Sequence, residues 1–412
     1  MRKIIASLDI GSHTIKLVVG EIVKNKLNIL ACCDTPSRGI KKGFVVNPES
    51  AKESLYEVFK KAEDQIGIKI QKVIVGIPAN NLECFISEGQ ITINNDEKVI
   101  THRDIIRVLQ SAVRSKIAKN KELVAIFPTK FLVNDTIVSN LPVGMKGVDL
   151  KTKAVVATVL KNNVLSITKC LEDMHIEVVD ITVGAIGDYY NFENAHTKET
   201  VGAIINIGAS TTTVSIFNKG IITASEVIDI GGDNIDYDLG FIYKIKRNDA
   251  IYLKETIALA DKNLAQPSES VLIEDKTGEK IKINQFDASE IVNARLEEIL
   301  NLAKKQINLL TKKEISYIIV TGGVTETVEF KNVLDYTFER IAEIGEVSVI
   351  GARNNKYATA VGLIKYYDSR LRLRNRDFSI FSIDEQEELS GIHKRVNENS
   401  ILGKIIGYFF DN

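Results

Sequence analysis

Apolar residues run almost unbroken over positions 4–8 and 15–22, and the polar stretch between them, Asp9-Ile10-Gly11-Ser12-His13-Thr14, has the length of a turn. This predicts a β-hairpin. A helical pattern follows over 48–66, with Ala51, Leu55, Val58, Phe59 and Ala62 on one face, and then an apolar strand over 73–77. Apolar strands alternating with amphipathic helices predict an α/β sheet covered by helices. The texture changes between residues 87 and 165, which hold an Asn-rich and charged turn at 94–98, a helical pattern at 102–116, and Pro128, Pro142, Gly144 and Gly147. This reads as an inserted subdomain. From Val201 the strand-rich texture returns, a helix predicted over 288–310 leads into a strand over 317–320, and a polar hairpin is expected over 272–283 around Thr277-Gly278.

One internal similarity outweighs any single segment. Leu8-Asp9-Ile10-Gly11-Ser12-His13-Thr14 is echoed by Ile205-Asn206-Ile207-Gly208-Ala209-Ser210-Thr211, each copy lying between two apolar strands. Such an echo suits two halves of a duplicated α/β protein, with a cleft between similar lobes.

The 412 residues leave room for two or more domains. With 53 Lys and Arg against 54 Asp and Glu, the net charge is -1, so no global field favours nucleic acid, and none is expected as a partner. Four cysteines without CxxC spacing suit a reducing compartment, and the five histidines show no zinc-binding spacing. No G-x-S-x-G elbow and no run of 18 apolar residues occurs, so neither serine-hydrolase chemistry nor a spanning helix is expected, and the body of the chain is placed in the cytoplasm.

The two turns suggest a phosphate clamp. Glycine lets the backbone approach a ligand closely, and the following amides can point at an anion. The hydroxyls of Ser12, Thr14, Ser210, Thr211 and Thr212 are candidate donors. Asp9 is placed to hold a hydrated Mg²⁺ through water, with Asn206 its uncharged counterpart. A single Asp-x-Gly turn also serves as a plain Asx turn, and the second copy is what favours a nucleotide. A third site, Thr321-Gly322-Gly323-Val324, follows an apolar strand and precedes a helical run over 328–338. A helix N-terminus there would add partial positive charge, and a plain strand-to-helix turn is the alternative.

The chain then becomes polar, with Arg370, Arg372, Arg374 and Arg376 alternating with Leu371 and Leu373 at first. This reads as a linker, with an edge strand or packed arm as the alternative. Over 400–410, Ile401, Leu402, Ile405, Ile406, Tyr408, Phe409 and Phe410 fill a broad apolar arc beside Lys404. A helix of that length, about 16 Å, cannot span a bilayer but can lie on an anionic surface; docking on the core is the alternative.

In this order, the three glycine sites resemble the phosphate-1, phosphate-2 and adenosine motifs of the actin, Hsp70 and sugar-kinase superfamily. Ile228 to Ile235 resembles the segment after phosphate-2, and Tyr357 to Leu363 the second connecting helix. The stretch from Phe127-Pro128 to Leu141-Pro142-Val143-Gly144 and Asp149-Leu150 is similar to the inserted subdomain of the FtsA family of bacterial cell-division proteins. The resemblance implies a duplicated two-lobe actin-like ATPase fold of the α/β class, with a small α+β insert replacing the actin-type second subdomain. It divides the chain into a first lobe of 1–86 plus 166–200, an SHS2-like insert of 87–165, a second lobe of 201–368 with a peripheral part at about 232–312, a linker of 369–399 and a membrane-targeting helix of 400–412. It implies ATP and Mg²⁺ as cofactors, held by Asp9, Gly11, Ser12, His13, Thr14, Lys16, Asn206, Gly208, Ala209, Ser210, Thr211, Lys254, Gly322, Gly323 and Val324.

It also implies tethering of FtsZ filaments, through a surface within about 230–310, to the inner face of the cytoplasmic membrane at the division site. Self-association into filaments and contacts with other divisome proteins come with it, the membrane contact being made by Ile401, Leu402, Lys404, Ile405, Ile406, Phe409 and Phe410. Three departures argue for slow or absent hydrolysis: Asn206 where the motif has Asp, Val324 where a third glycine is usual, and Ile251 at an acidic position. A small-molecule kinase, or a chaperone or pilus-assembly protein on the same scaffold, are the alternative readings.

Overall fold

The first hairpin, β1 (Lys3–Ile10) and β2 (Thr14–Val23), begins a sheet that continues with β3 (Lys26–Pro36). A small hairpin, β4 (Ile40–Lys41) and β5 (Phe44–Val45), and helix α1 (Pro48–Ile66) lead to β6 (Lys72–Ile77). Local chemistry explains α1. The Asn47 side chain accepts from the Ser50 amide at its start, Pro48 suits the first turn, and Gly67 closes it at φ 76°. Its buried stripe, Ala51, Leu55, Val58, Phe59, Ala62 and Ile66, packs into the first-lobe core.

The computed structural model, which describes residues 2–114, 116–382, 385, 386 and 389, then enters a second, antiparallel sheet. This insert comprises β7 (Glu83–Thr92), α2 (His102–Val113), β8 (Lys121–Val133), β9 (Thr136–Val138) and β10 (Asp149–Leu160), in the order β7-β10-β8-β9. It has its own small core around Ile93, Ile105, Val108 and Leu150. The chain returns through α3 (Lys161–Asp173), β11 (Glu177–Val183), α4 (Gly184–Phe192) and α5 (Ala195–Glu199).

The second lobe repeats the plan: β12 (Val201–Ile207), β13 (Thr212–Asn218) and β14 (Ile221–Ile228), then α6 (Gly232–Ile242) and α7 (Arg247–Thr256). Hairpin β15 (Ser270–Glu274) and β16 (Lys280–Asn284), α8 (Gln285–Leu310), β17 (Tyr317–Thr321), α9 (Phe330–Phe338), β18 (Ala342–Ile344) and α10 (Ala358–Arg374) complete it. The two large sheets have matching orders, β3-β2-β1-β6-β11 and β14-β13-β12-β17-β18. In each the hairpin is antiparallel and the next two pairings are parallel. Register matches too, for Asp9 lies opposite Lys16 as Asn206 lies opposite Thr213. The duplication read from two short turns is a duplication of whole sheets.

Helix α10 packs on the first lobe, its Ala360, Val361 and Ile364 joining Ile5, Val18 and Ile74. It crosses α4 at glycine: a Cβ on Gly362 would lie 1.7 Å from the Gly187 carbonyl oxygen. Backbones therefore meet directly at the centre of the molecule.

Three expected boundaries move. Ser87 lies inside β7, because the sheet's exposed-and-buried alternation already starts at Glu83. Residue 165 lies inside α3, whose Val164 and Ile167 are buried in the first-lobe core, so this helix belongs to the lobe. Nor does a linker begin at 369. Helix α10 runs on to Arg374 with Leu371 buried and Arg370 paired with Asp180 at 3.0 Å; Ile380 then donates its amide to the Ile4 carbonyl at 2.9 Å. Most of the Arg and Leu alternation is thus wound into the last turn of α10, not laid out as a tether. The proposed membrane segment, residues 400–412, lies outside the described residues. Among the described residues no helix is long and apolar enough to cross a membrane.

Candidate functional site

The β1–β2 turn and the β12–β13 turn line one cavity of about 670 Å³. Asp9, Gly11, Ser12, His13, Thr14 and Lys16 contribute from the first lobe, and Asn206, Gly208, Ala209, Ser210 and Thr211 from the second. Lys254, Gly322, Gly323 and Val324 line it as well, so all fifteen residues marked in the sequence for nucleotide share this one space.

Each turn is braced by its own neighbour. In the first, Ser12 Oγ accepts from the Gly43 amide at 3.1 Å, which leaves its hydroxyl proton to give, and the Lys16 ammonium reaches Asp9 at 3.1 Å. In the second, the carbonyls of Gly208 and Ala209 accept from the Gly232 and Asp233 amides at the start of α6, at 3.0 and 2.7 Å. Ser210 donates to Asp233 Oδ2 at 2.6 Å, so its proton is already committed and it cannot add the donor expected of it. Thr212 is fully buried and donates to the Ile230 carbonyl at 2.8 Å, so its expected donation to a ligand also falls away.

The third glycine site differs from expectation in one respect. Gly322 takes φ 99°, and a Cβ there would meet the Ile207 carbonyl oxygen at 2.4 Å and Asn206 Oδ1 at 2.6 Å, so glycine is required. The next residues form a short 3-10 turn, Gly323–Glu326, and α9 begins only at Phe330 after a left-handed Glu329. No α-helix N-terminus therefore stands at the glycines. Tilting the chain into a 3-10 turn instead brings Glu326 to accept from the Asn355 amide at 2.8 Å.

Several cavity residues escape a reading of the sequence alone. Asp188, in the middle of α4, is 2% exposed, accepts from Thr359 at 2.6 Å and from Asn206 Nδ2 at 2.8 Å, and burial pushes its carboxyl up to about 7 against those two bonds. Its only sequence signal is that it is the one charged residue of this helix. Asp34 accepts from the Tyr357 hydroxyl and pairs with Lys356 at 2.9 Å; burial alone would raise its carboxyl, but these partners hold it below the ordinary carboxylate range. Lys254 pairs with buried Asp236 at 2.6 Å, where burial raises the carboxyl despite that lysine. Ile251 lines the cavity as expected, while Glu255 supplies an acid one turn further along α7.

This residue set fits a metal-loaded nucleotide. A Cβ on Gly11 would strike the Thr14 carbonyl oxygen at 2.5 Å and the Lys16 ammonium at 2.9 Å, so the turn stays open where the backbone must approach a ligand. Seven carboxylates and three lysines line the cavity, a balance that repels a free triphosphate and favours one carrying a divalent cation.

Two similar sheets, each presenting a register-equivalent turn to a shared cleft, define the two-lobe actin-like ATPase fold, here with one inserted subdomain. The family model for cell division protein FtsA matches residues 203–362, and that for the SHS2 domain inserted in FtsA matches residues 79–158. The chain belongs to the FtsA family. It is similar to cell division protein FtsA of Bacillus subtilis, 27% identical over 374 residues that make up 90% of this chain and 84% of that one. The Borreliella burgdorferi protein of the same name is 24% identical and covers 99% of this chain and 98% of its own. Among solved structures, MreB5 of Spiroplasma citri bound to ADP matches with a TM-score of 0.57 at 14% identity, covering 91% of this chain and 99% of that one; this likeness concerns the fold. Members of the FtsA family are membrane-associated, self-associating divisome ATPases that bind ATP with Mg²⁺ and tether FtsZ.

Proposed function

We propose that this chain binds ATP with Mg²⁺ between its lobes, turns it over slowly or not at all, and anchors FtsZ filaments to the inner face of the cytoplasmic membrane at the division site. The observation that carries the reading is the pair of register-equivalent turns on one cavity. The turns following Gly11 and Gly208 grip the phosphates, Asp9 holds hydrated Mg²⁺ through water, and Lys254 with Gly322 and Gly323 takes the adenosine end. When bound, Mg²⁺ supplies charge neutralisation for the triphosphate. Asn206 carries no charge to position a second water, which supports slow hydrolysis.

FtsZ is engaged by the peripheral part of the second lobe. There Tyr237 and Phe241 stack at 6.2 Å on the exposed side of α6, an apolar patch that suits a protein partner. The insert supplies contacts to other divisome proteins and to further copies of the chain, and the apolar arc of residues 401–410 supplies the membrane foot. One short foot binds weakly, so assembly into filaments strengthens attachment by joining many feet.

The test is flotation with anionic vesicles and FtsZ, in ATP and Mg²⁺. The full chain is expected to carry FtsZ to the vesicles. Deletion of residues 400–412 is expected to release both from lipid while leaving the two proteins bound to each other. Unchanged vesicle binding after the deletion rejects the foot. Turnover as fast as a sugar kinase's, in a preparation free of contaminating enzyme, rejects the slow-hydrolysis reading.

A further inference from the structure

The carboxylate that the second turn lacks is present in the molecule, one contact deeper. Asn206 donates from Nδ2 to Asp188 Oδ2 at 2.8 Å and, at 3.3 Å, to Thr359 Oγ1, while the Thr359 hydroxyl donates to Asp188 Oδ1 at 2.6 Å. With both bonds of Nδ2 directed inward, Oδ1 is turned the other way, toward the Gly322 loop, where a Cβ on that glycine would lie 2.6 Å from it. The network fixes the amide's orientation, since a flipped Asn206 would set its carbonyl oxygen against a carboxylate.

Three elements converge here. Asp188 is on α4, Asn206 on β12 and Thr359 on α10, beside the Gly187–Gly362 crossing where the two halves of the molecule touch. No ammonium or guanidinium is hydrogen-bonded to the Asp188 carboxyl in the described structure, and Asp9 lies close enough to act on it. Burying a carboxyl on two neutral donors, with Lys16 acting on it only from a distance, is costly, and an apolar residue would fill the same space more cheaply. Placing it on the floor of a cavity suited to Mg²⁺ gives that burial a purpose.

We propose that Asp188 is the positioning residue of the second phosphate turn, acting with Thr359 to hold the Asn206 amide so that Oδ1 faces the bound nucleotide. The assignment rests on the nucleotide reading above. It concerns how Mg²⁺ strengthens nucleotide binding, so a readout other than turnover can test it.

The experiment measures ATP affinity by equilibrium binding, with Mg²⁺ and with EDTA, for wild type, D188N, N206D and the exchange variant D188N/N206D. In D188N the gain in affinity that Mg²⁺ confers is expected to fall about 10-fold or more, the usual cost of losing a partner that orients a metal site, while affinity in EDTA stays within about twofold. N206D places two carboxylates against each other and is expected to be the poorest binder. The exchange variant restores a carboxylate–amide pair with the charge moved to the cavity, and is expected to recover the Mg²⁺ gain. A folded D188N with the full Mg²⁺ gain overturns the proposal. If D188N does not fold, the exchange variant decides, and a folded exchange variant binding Mg²⁺-ATP no better than N206D also overturns it. Wild type that binds no ATP under either condition overturns the nucleotide reading itself, and this assignment with it.

Discussion

The two turns are copies in backbone and opposites in charge. In the first, Asp9 and Lys16 sit opposite each other across the hairpin and form an ion pair inside one lobe. The register-equivalent pair in the second is Asn206 and Thr213, both neutral, and the acid near it, Asp188, arrives from the other lobe. One turn is electrostatically self-contained; the other depends on how the lobes are packed. Duplication can therefore preserve the backbone of a turn while the charges around it diverge, paired within one lobe in the first copy and drawn from across the lobes in the second.

The largest effect is expected where the halves touch. Replacing Gly362 with Ala puts a methyl 1.7 Å from the Gly187 carbonyl oxygen, so α4 and α10 must separate. Overpacking of this kind costs ~1–3 kcal/mol, and a contact this short belongs at the upper end, whereas the helix propensity gained by Ala returns only ~1 kcal/mol. G362A should lower the denaturation midpoint and weaken ATP binding together. A rise in stability would mean that the crossing is loose and that the second turn does not depend on it.

Next comes the ion pair. Charge-assisted hydrogen bonds are worth ~1.5–3 kcal/mol, so K16M is expected to weaken Mg²⁺-ATP binding by ~10–100-fold, while T213V at the matching position changes it by less than about twofold. Equal losses in the two variants would erase the asymmetry between the turns.

How much of this is legible in the sequence depends on the range of the interactions. The hairpin turn at Asp9, the capped and periodic helix of residues 48–66, and the echo at Asn206 all rest on residues within a few positions of one another, and the structure keeps them. The Asp188–Thr359 bond joins residues 171 apart, and the Lys356–Asp34 pair residues 322 apart, so no local pattern announces either. The same limit explains two corrections. The stretch after Tyr367 is polar enough for a linker, and nothing nearby reveals that Asp180 waits for Arg370. The glycines at 322 and 323 read as opening a helix because the left-handed break at Glu329 has no strong local marker.

A smaller effect concerns pH and again separates the two turns. Burial pushes the Asp188 carboxyl up to about 7, with Asp9 adding to the rise and the Thr359 and Asn206 bonds and Lys16 opposing it. The folded chain therefore holds this proton over a range where the unfolded chain, with an ordinary carboxyl near 3.8, has lost it. The resulting stability is fully present below the unfolded value and is lost as pH rises through about 7. Denaturation midpoints of wild type should fall between mildly acidic and mildly alkaline buffer, and those of D188N should fall less. Parallel slopes for the two proteins would show that Asp188 does not titrate in this window.

The smallest expected effect lies where the two halves meet in solvent. Lys42, on the turn between β4 and β5, pairs with Asp229, just after β14, at 2.7 Å, with side chains 51% and 64% exposed. Exposed pairs are worth ~0.2–1 kcal/mol, so D229A should barely change stability. The neighbouring Gly43 lines the cavity and donates to Ser12, so Lys42 rides on the same hairpin that braces the first turn. Releasing it should act on rates, with nucleotide association and dissociation both rising by about twofold at low salt and the difference vanishing as salt screens the pair. Stopped-flow binding at two salt concentrations measures this. If D229A instead alters affinity as strongly as K16M does, the lobes are held together at their exposed edge, and the buried crossing at Gly187 and Gly362 would not be the axis on which the second turn depends.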